Sequence, residues 1–336
     1  MENSKNYHLL YKLGEGSTSD VYLCKINNSY YAIKILKDLP TSERDYLREI
    51  SMLKKLKHPN ITNLISNGYE KLNSSYFLIN KYYLILDLAS KGELFNYIYF
   101  PQKGFTESQT RYIFKQILLA VNSCHLNGVA HLDIKTENLM LDDNFNIKLA
   151  DFGLACSCND LIDSFLGTEN FQSPEILERK LFNGIKSDIF ALGVTLFIIY
   201  SGEFPFKQAR KYDISYQYII KRKYDNFWNV ILKKVFNGNE DLMPSNEFKD
   251  LFIKMICPNE DERISIQDIF EHPWMKLNFP SNEEMRFEFE EREKIVKDNM
   301  LVDDRNLNIE LFFNSINFAK NIEKCDKGKD DNNKPN

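Results

Sequence analysis

His131-Leu132-Asp133-Ile134-Lys135-Thr136-Glu137-Asn138, followed by Asp151-Phe152-Gly153, is the stretch that decides the fold and the chemistry of this chain. Asp133 and Asn138 stand five residues apart, and Asp151 follows Asp133 by eighteen. A loop carboxylate can accept the proton of a hydroxyl, while an amide oxygen and a second carboxylate hold Mg²⁺, a hard cation that prefers oxygen. Lys135 is spaced to neutralise a phosphoryl group in transfer. Any one of these residues alone reads equally well as a surface charge on a loop. The ordered set points to magnesium-assisted phosphoryl transfer.

Upstream, Gly14-Glu15-Gly16-Ser17-Thr18-Ser19-Asp20-Val21 lies between two predicted strands. Two glycines let backbone approach a triphosphate closely, and Val21 would cover a planar base; a tight hairpin would also place glycines here. Ala32-Ile33-Lys34 follows on the next strand. Lys34 is either an exposed strand charge or an amine held against phosphate oxygens by an acid from a helix. Glu49 is the candidate acid, because Leu53 lies four residues later on the same, inward face.

With 336 residues, the chain can bury a large core as one domain or two lobes. Hydrophobic residues make up 43% and charged residues 27%, as in an ordinary soluble protein, and the net charge of −5 gives no reason to expect nucleic-acid or membrane affinity. The polar start, MENSKNYHLL, is unlike a signal peptide, and the apolar run at 191–200 is too short to span a bilayer, so it reads as a buried helix. A cytoplasmic location and six reduced cysteines are therefore expected. Cys156-Ser157-Cys158 has no His or further Cys nearby and reads as two thiols, not a metal or redox pair.

Strands are predicted at 7–13, 20–25, 30–36 and 82–88, with a helix at 42–56 carrying Leu47, Ile50, Leu53 and Leu56 on one face. From about residue 92 the pattern is helical. Thr106-Glu107-Ser108-Gln109 starts a helix that runs to Gly128, a short hairpin turns at Asp142-Asp143-Asn144, and helices continue to Trp274. After about residue 278 the chain is charged, which favours a merely solvated extension over an autoinhibitory or docking element; it has room for a helix or two in 282–320 and is expected to be disordered from about 326.

Taken in order, these motifs resemble the eukaryotic protein kinase family over roughly residues 7–275. The resemblance implies an α+β bilobal fold: a six-residue N-terminal extension, a β-rich N-lobe over about 7–89, a helical C-lobe over about 90–275, and an extension over 276–336. It implies ATP and Mg²⁺ as cofactors, with Lys34 on the α/β-phosphates, Glu49 supporting it, Asp133 as base, and Asn138 and Asp151 as metal ligands. Leu13, Gly14 and Gly16 would cover the nucleotide. Leu86 looks like the gatekeeper, Asp87 to Ala89 the hinge, Val21, Ala32 and Met140 the walls around adenine, and Glu93 a contact to ribose or to a basic substrate side chain. Gly167-Thr168 and Ser173-Pro174-Glu175 look like the end of an activation segment; Glu175 should pair with Arg263, and Asp188 should brace the catalytic loop.

Lys135 together with Thr168 resembles the serine/threonine kinases. Gly92-Glu93-Leu94-Phe95, Glu137-Asn138-Leu139 and His272-Pro273-Trp274 look most like the calcium/calmodulin-dependent group, including relatives of AMP-activated kinase. The expected partner is a protein substrate with a basic residue upstream of the target hydroxyl, recognised through Glu93 and Glu137, and the expected state is a monomer. Departures from the family pattern are informative. Ser19 replaces the third glycine of the loop, and the arginine that usually precedes the base is Leu132. Ser164 sits where many relatives are phosphorylated, but the three places that usually supply cations to that phosphate hold Leu132, Cys156 and Asp45. A phosphate there would lack counter-charge. Ser164 is thus expected not to gate activity, and Leu132 to pack on Phe165 or Leu166. The rival reading is a pseudokinase that binds nucleotide as a scaffold, motivated by Leu132 and Ser19.

Overall fold

The computed structural model describes residues 7–73, 78–159, 161–163 and 167–302. Ser164, Phe165, Leu166 and the segment expected to be disordered from about 326 lie outside the described residues.

Five antiparallel strands open the fold: β1 (Tyr7–Glu15), β2 (Ser19–Ile26), β3 (Ser29–Leu36), β4 (Leu64–Asn73) and β5 (Leu78–Asp87), in the sheet order β1-β2-β3-β5-β4. Ala32 pairs with Leu23 and Leu86, and Lys34 with Val21 and Leu84. Side chains alternate across a strand, so Val21, Ala32, Lys34 and Leu86 share the face turned to the second lobe. Cys24, Ile33, Tyr83 and Ile85 form a small buried cluster on the opposite face.

Helix α1 (Ser42–Leu53) packs beside this sheet. Its buried residues are Tyr46, Glu49, Ile50 and Leu53, spaced i, i+3, i+4, i+7. Leu47, expected on that face, is 57% exposed because it sits a quarter-turn round from the stripe that Tyr46 and Ile50 define. Leu56 is buried beyond the helix end, where its N–H bonds the Leu53 carbonyl in a tightened last turn.

The larger lobe runs through β6 (Gly92–Glu93), α2 (Leu94–Tyr99), α3 (Glu107–Leu126), β7 (Val129–Ala130), the hairpin β8 (Leu139–Leu141) and β9 (Ile147–Leu149), and β10 (Cys156–Ser157), which pairs with β7. Thr106 and Gln109 form a reciprocal capping box on α3, as their spacing predicts. After α4 (Pro174–Leu177) comes α5 (Gly184–Ser201), apolar enough by length and composition to cross a membrane but largely buried as the core helix of this lobe. Then follow α6 (Ile214–Ile220), α7 (Tyr224–Lys234), α8 (Asn246–Met255), α9 (Ile266–Glu271) and α10 (Pro273–Lys276). The buried pair of Glu175 and Arg263, with contacts of 2.8 and 3.0 Å, ties α4 to the loop before α9.

Beyond the predicted end of the domain the chain forms α11 (Asn282–Val302), which is docked rather than merely solvated. Met285, Phe289, Arg292 and Val296 are buried against α2 and the turn between β8 and β9. Phe289 stacks on Phe145 and meets Tyr97 and Phe105 at centroid distances of 5.3 to 5.8 Å.

Candidate active site

A cavity of about 410 Å³ lies between the sheet and the larger lobe. Of the residues singled out from sequence, Leu13, Gly14, Gly16, Val21, Ala32, Lys34, Glu49, Leu86, Asp87, Ala89, Glu93, Lys135, Asn138, Met140 and Asp151 all line it. Asp133 and Thr168 stand just outside this lining and join it through Lys135 and Asn138. Ser19 and Leu88, from the loop and the hinge, line it too, as do Glu15, Thr62 and Ala150, to which no role was given. The Asp87 side chain does not face a ligand: its Oδ2 accepts from Asn63 Nδ2 at 2.6 Å, leaving the hinge backbone to offer donors and acceptors.

Lys34 is the centre of the upper half. Its Nζ lies 2.8 and 2.9 Å from the two Glu49 carboxylate oxygens and 2.8 Å from Asp151 Oδ1. Burial disfavours the charged amine, but the two carboxylates outweigh it and raise its pKa. The Lys34 ammonium in turn holds the Asp151 carboxyl down at about 2, against the effect of burial. Asp151 is thus ionised throughout the physiological range. Its backbone φ of 59° is left-handed, and Oδ1 takes the Gly153 N–H at 3.3 Å, which closes the Asp-Phe-Gly turn on itself.

The lower half is one hydrogen-bonded chain. Lys135 Nζ lies 2.9 Å from Asp133 Oδ2 and donates to Thr168 Oγ1 at 2.8 Å; Thr168 donates to Asp133 Oδ1 at 3.1 Å. Asn138 Nδ2 donates to the Asp133 carbonyl at 2.7 Å and to its Oδ2 at 2.9 Å, so the amide oxygen is the atom free to ligate a cation. This fixes the carboxylate plane of Asp133. An oxygen-rich donor set of Asn138 and Asp151, beside an amine and backbone glycines, suits Mg²⁺ and phosphate.

The loop that carries Asp133 is held from below. Asp188 accepts the N–H of Leu132 at 2.8 Å and that of His131 at 2.9 Å, and lies 2.9 Å from His125 Nε2. Leu132 sits at φ 64°, a left-handed conformation that costs a branched residue about 1–2 kcal/mol, and the paired acceptor holds it there. Gly167, at φ 93°, is required opposite it: a Cβ there would stand 2.7 Å from the Leu132 carbonyl oxygen.

The Leu132 side chain, expected to pack apolarly in place of the usual arginine, is buried in a small apolar cluster with Ala130, Ile176 and Phe182, flanked by Leu154, Cys156, Cys158 and Ile162. Ile162 and Phe182 exchange backbone hydrogen bonds of 2.9 and 3.2 Å, which anchors the activation segment to the stretch before α5. The contacts expected from Phe165 and Leu166 lie outside the described residues. Glu93 and Glu137 share one side of the cleft mouth with Lys135. Burial, reinforced by the Glu137 carboxylate, pushes Glu93 up to about 7. One cation escaped the sequence reading altogether: Arg48, adjacent to Glu49 on α1, donates from a terminal guanidinium nitrogen to the Gly153 carbonyl and lies 3.3 Å from Asp45.

Residues 7–275 match the family described as the protein kinase domain. Among curated proteins the chain is 34% identical to a probable serine/threonine-protein kinase MARK-A of Dictyostelium discoideum over 80% of its own length and 24% of that protein. It is 33% identical to the human NUAK family SNF1-like kinase 1 over 82% of this chain and 39% of the relative. It is 32% identical to the rice CBL-interacting protein kinase 2 over 95% and 67%. The chain therefore spans between about a quarter and two thirds of these relatives' length. With the bilobal fold and the ordered site already in place, these matches show that the chain belongs to the protein kinase family.

Proposed function

We propose that the chain is an active serine/threonine protein kinase that transfers the γ-phosphate of ATP to a protein hydroxyl with Mg²⁺. The observation that carries this is Lys34, bonded at once to Glu49 and Asp151 while Asp133, Lys135 and Thr168 are already linked below it. The parts stand in working order together, and a chain that only bound nucleotide would have no use for the lower network.

In this reading Lys34 holds phosphate oxygens, with Glu49 fixing the amine. Asn138 and Asp151 hold Mg²⁺, which neutralises charge on the transferring group when bound. Asp133 takes the proton of the acceptor hydroxyl, oriented by Asn138 and Thr168, and Lys135 steadies the phosphoryl oxygens. Val21, Ala32 and Met140 enclose adenine beneath Leu13, Gly14 and Gly16, beside Leu86 and the Asp87 to Ala89 backbone. Glu93 and Glu137 favour a substrate with a basic residue upstream of its target.

We further propose that Ser164 phosphorylation does not gate turnover, because apolar packing at Leu132 supplies the anchoring that a phosphate would otherwise provide. Mg-ATP turnover on a basic peptide, compared with the Asp133→Asn protein, tests the activity. A loss of about 10³-fold or more is expected; equal background from both proteins would make the chain a pseudokinase. Ser164→Ala should retain its turnover, and a folded Ser164→Ala protein without activity would sink the second proposal.

A further inference from the structure

We propose that Arg48 is a positioning residue for phosphoryl transfer, aimed by Asp45, that ties α1 directly to the Asp-Phe-Gly turn. The proposal rests on the reading of Asp151 as a metal ligand. Two connections join α1 to this turn. One is indirect and runs through Lys34, from Glu49 to Asp151. The other runs from the Arg48 guanidinium straight to the Gly153 carbonyl.

The two connections do not survive catalysis equally. Lys34 must turn its ammonium to phosphate oxygens, and each donor direction given to phosphate is one withdrawn from Asp151. Arg48 meets a backbone carbonyl that takes no part in the reaction, so its bond persists when nucleotide enters. Gly153 is also the residue whose N–H closes onto Asp151 Oδ1. The carbonyl and the N–H belong to successive peptide planes that meet at the Gly153 Cα, so holding the carbonyl restrains the residue whose N–H aims the Asp151 carboxylate. A left-handed Asp151 needs such support, since that conformation is held only where surroundings over-determine it.

Asp45 gives this arrangement its direction. It lies one turn before Arg48, and its Oδ1 stands 3.3 Å from the guanidinium. Arg48 Nε is buried without a hydrogen-bond partner among the described residues, so the side chain is placed by its terminal nitrogen, held between Asp45 and Gly153. The acid that replaces an expected cation on α1 is thus half of a tether.

The test compares wild type with Arg48→Ala, Arg48→Lys and Asp45→Ala, each also in a Ser164→Ala background, by kcat, peptide KM, Mg²⁺ dependence and melting temperature. Arg48→Ala should lose about tenfold to a hundredfold in kcat, with a raised Mg²⁺ requirement and a peptide KM within about twofold of wild type. Arg48→Lys, which can still donate to one carbonyl, should recover most of the loss, and Asp45→Ala should fall between. The same losses should appear in the Ser164→Ala background. Wild-type kcat in Arg48→Ala would overturn the proposal. So would a lysine variant no better than alanine at equal melting temperature. An effect that vanishes with Ser164→Ala would also overturn it, because Arg48 would then act by receiving a phosphate. A wild-type protein without turnover would instead bring down the activity on which the proposal rests.

Discussion

Replacing Arg292 with alanine should weaken the whole catalytic unit, although it lies outside the segment that matches the kinase family. Arg292 is 4% exposed. Its guanidinium donates to the carbonyls of Tyr97 at 2.8 Å, Lys103 at 2.7 Å and Gly104 at 2.8 Å, and to Glu288 at 2.7 Å. It also lies 3.8 Å from the centre of the Phe105 ring. Hydrogen bonds from a charged donor contribute about 1.5–3 kcal/mol each, and they are not additive when one side chain makes them all. Alanine leaves the three carbonyls without their donor, while water entering beside the exposed face of α11 recovers part of the loss. The expected cost is about 3–5 kcal/mol, a large share of the roughly 5–15 kcal/mol that domains possess.

Urea unfolding followed by tryptophan fluorescence reads this as a midpoint lower by about 1 M or more. Hydrogen exchange locates it, with protection lost first at 282–302 and 94–105, where the helix and its acceptors meet. Arg292→Lys should lose less than alanine but remain below wild type, because a point charge cannot span three carbonyls. The same logic applies to the chain cut at residue 280. Glu293 pairs at 3.0 Å with Lys91, whose N–H bonds Leu141 just beyond the hinge, so removing α11 frees a segment that frames the cleft. That shortened protein should be less stable and no more active. An unchanged midpoint with full protection across α11 in Arg292→Ala would refute the reasoning, and a rise in activity on truncation would make α11 an inhibitor instead.

Two further outcomes follow from the site. Leu132→Arg places an unpaired guanidinium in the apolar cluster and should cost about 3 kcal/mol or more in thermal or chemical unfolding, whereas Leu132→Met should cost under about 1.5 kcal/mol; an arginine variant as stable as wild type, active only when phosphorylated on Ser164, would contradict the proposed control. Glu93 is raised to about 7, so it is protonated below that pH and charged above it. Peptide KM for a basic substrate should therefore fall several-fold between about pH 6 and 8, and the dependence should flatten in Glu93→Gln. The stability contribution has the opposite sense: it is present below the ordinary carboxylate range and lost as pH rises through about 7.

The cleft was legible because its chemistry is carried by residue types at short, fixed spacings. Lys34 and Glu49 lie on different elements, fifteen residues apart, and they could be paired only because Leu53 marked the inward face of α1. Elements without a strong period were missed. β4 was not foreseen, since LISNGYEKLN is a polar edge strand whose partner covers only one side. The docking of α11 was hidden by its charge. Met285, Phe289, Arg292 and Val296 follow spacings of four, three and four, which describe a narrow helical seam, but one of the four is an arginine. A buried arginine looks like a solvated one until the carbonyls around it are known. Arg48 was overlooked for the same reason, because its partner is a carbonyl oxygen, and no sequence marks which carbonyls lack a donor.

The three missing cations, Leu132, Cys156 and Asp45, are better understood as a substitution of one kind of anchorage by another than as a loss. Leu132 and Cys156 contribute to the apolar cluster that meets Ile162, and burial raises the Cys156 thiol to about 11, as befits a packing residue rather than a reactive one. Asp45 addresses Arg48. Apolar burial and a bond to a backbone carbonyl are both present without any modification, whereas a phosphate-filled basic pocket holds a loop only after one is added. The proposed constitutive activity thus follows from where the stabilising interactions come from. If it is right, turnover should track the packing of Leu132 and the Arg48 tether, and should be indifferent to the charge at Ser164.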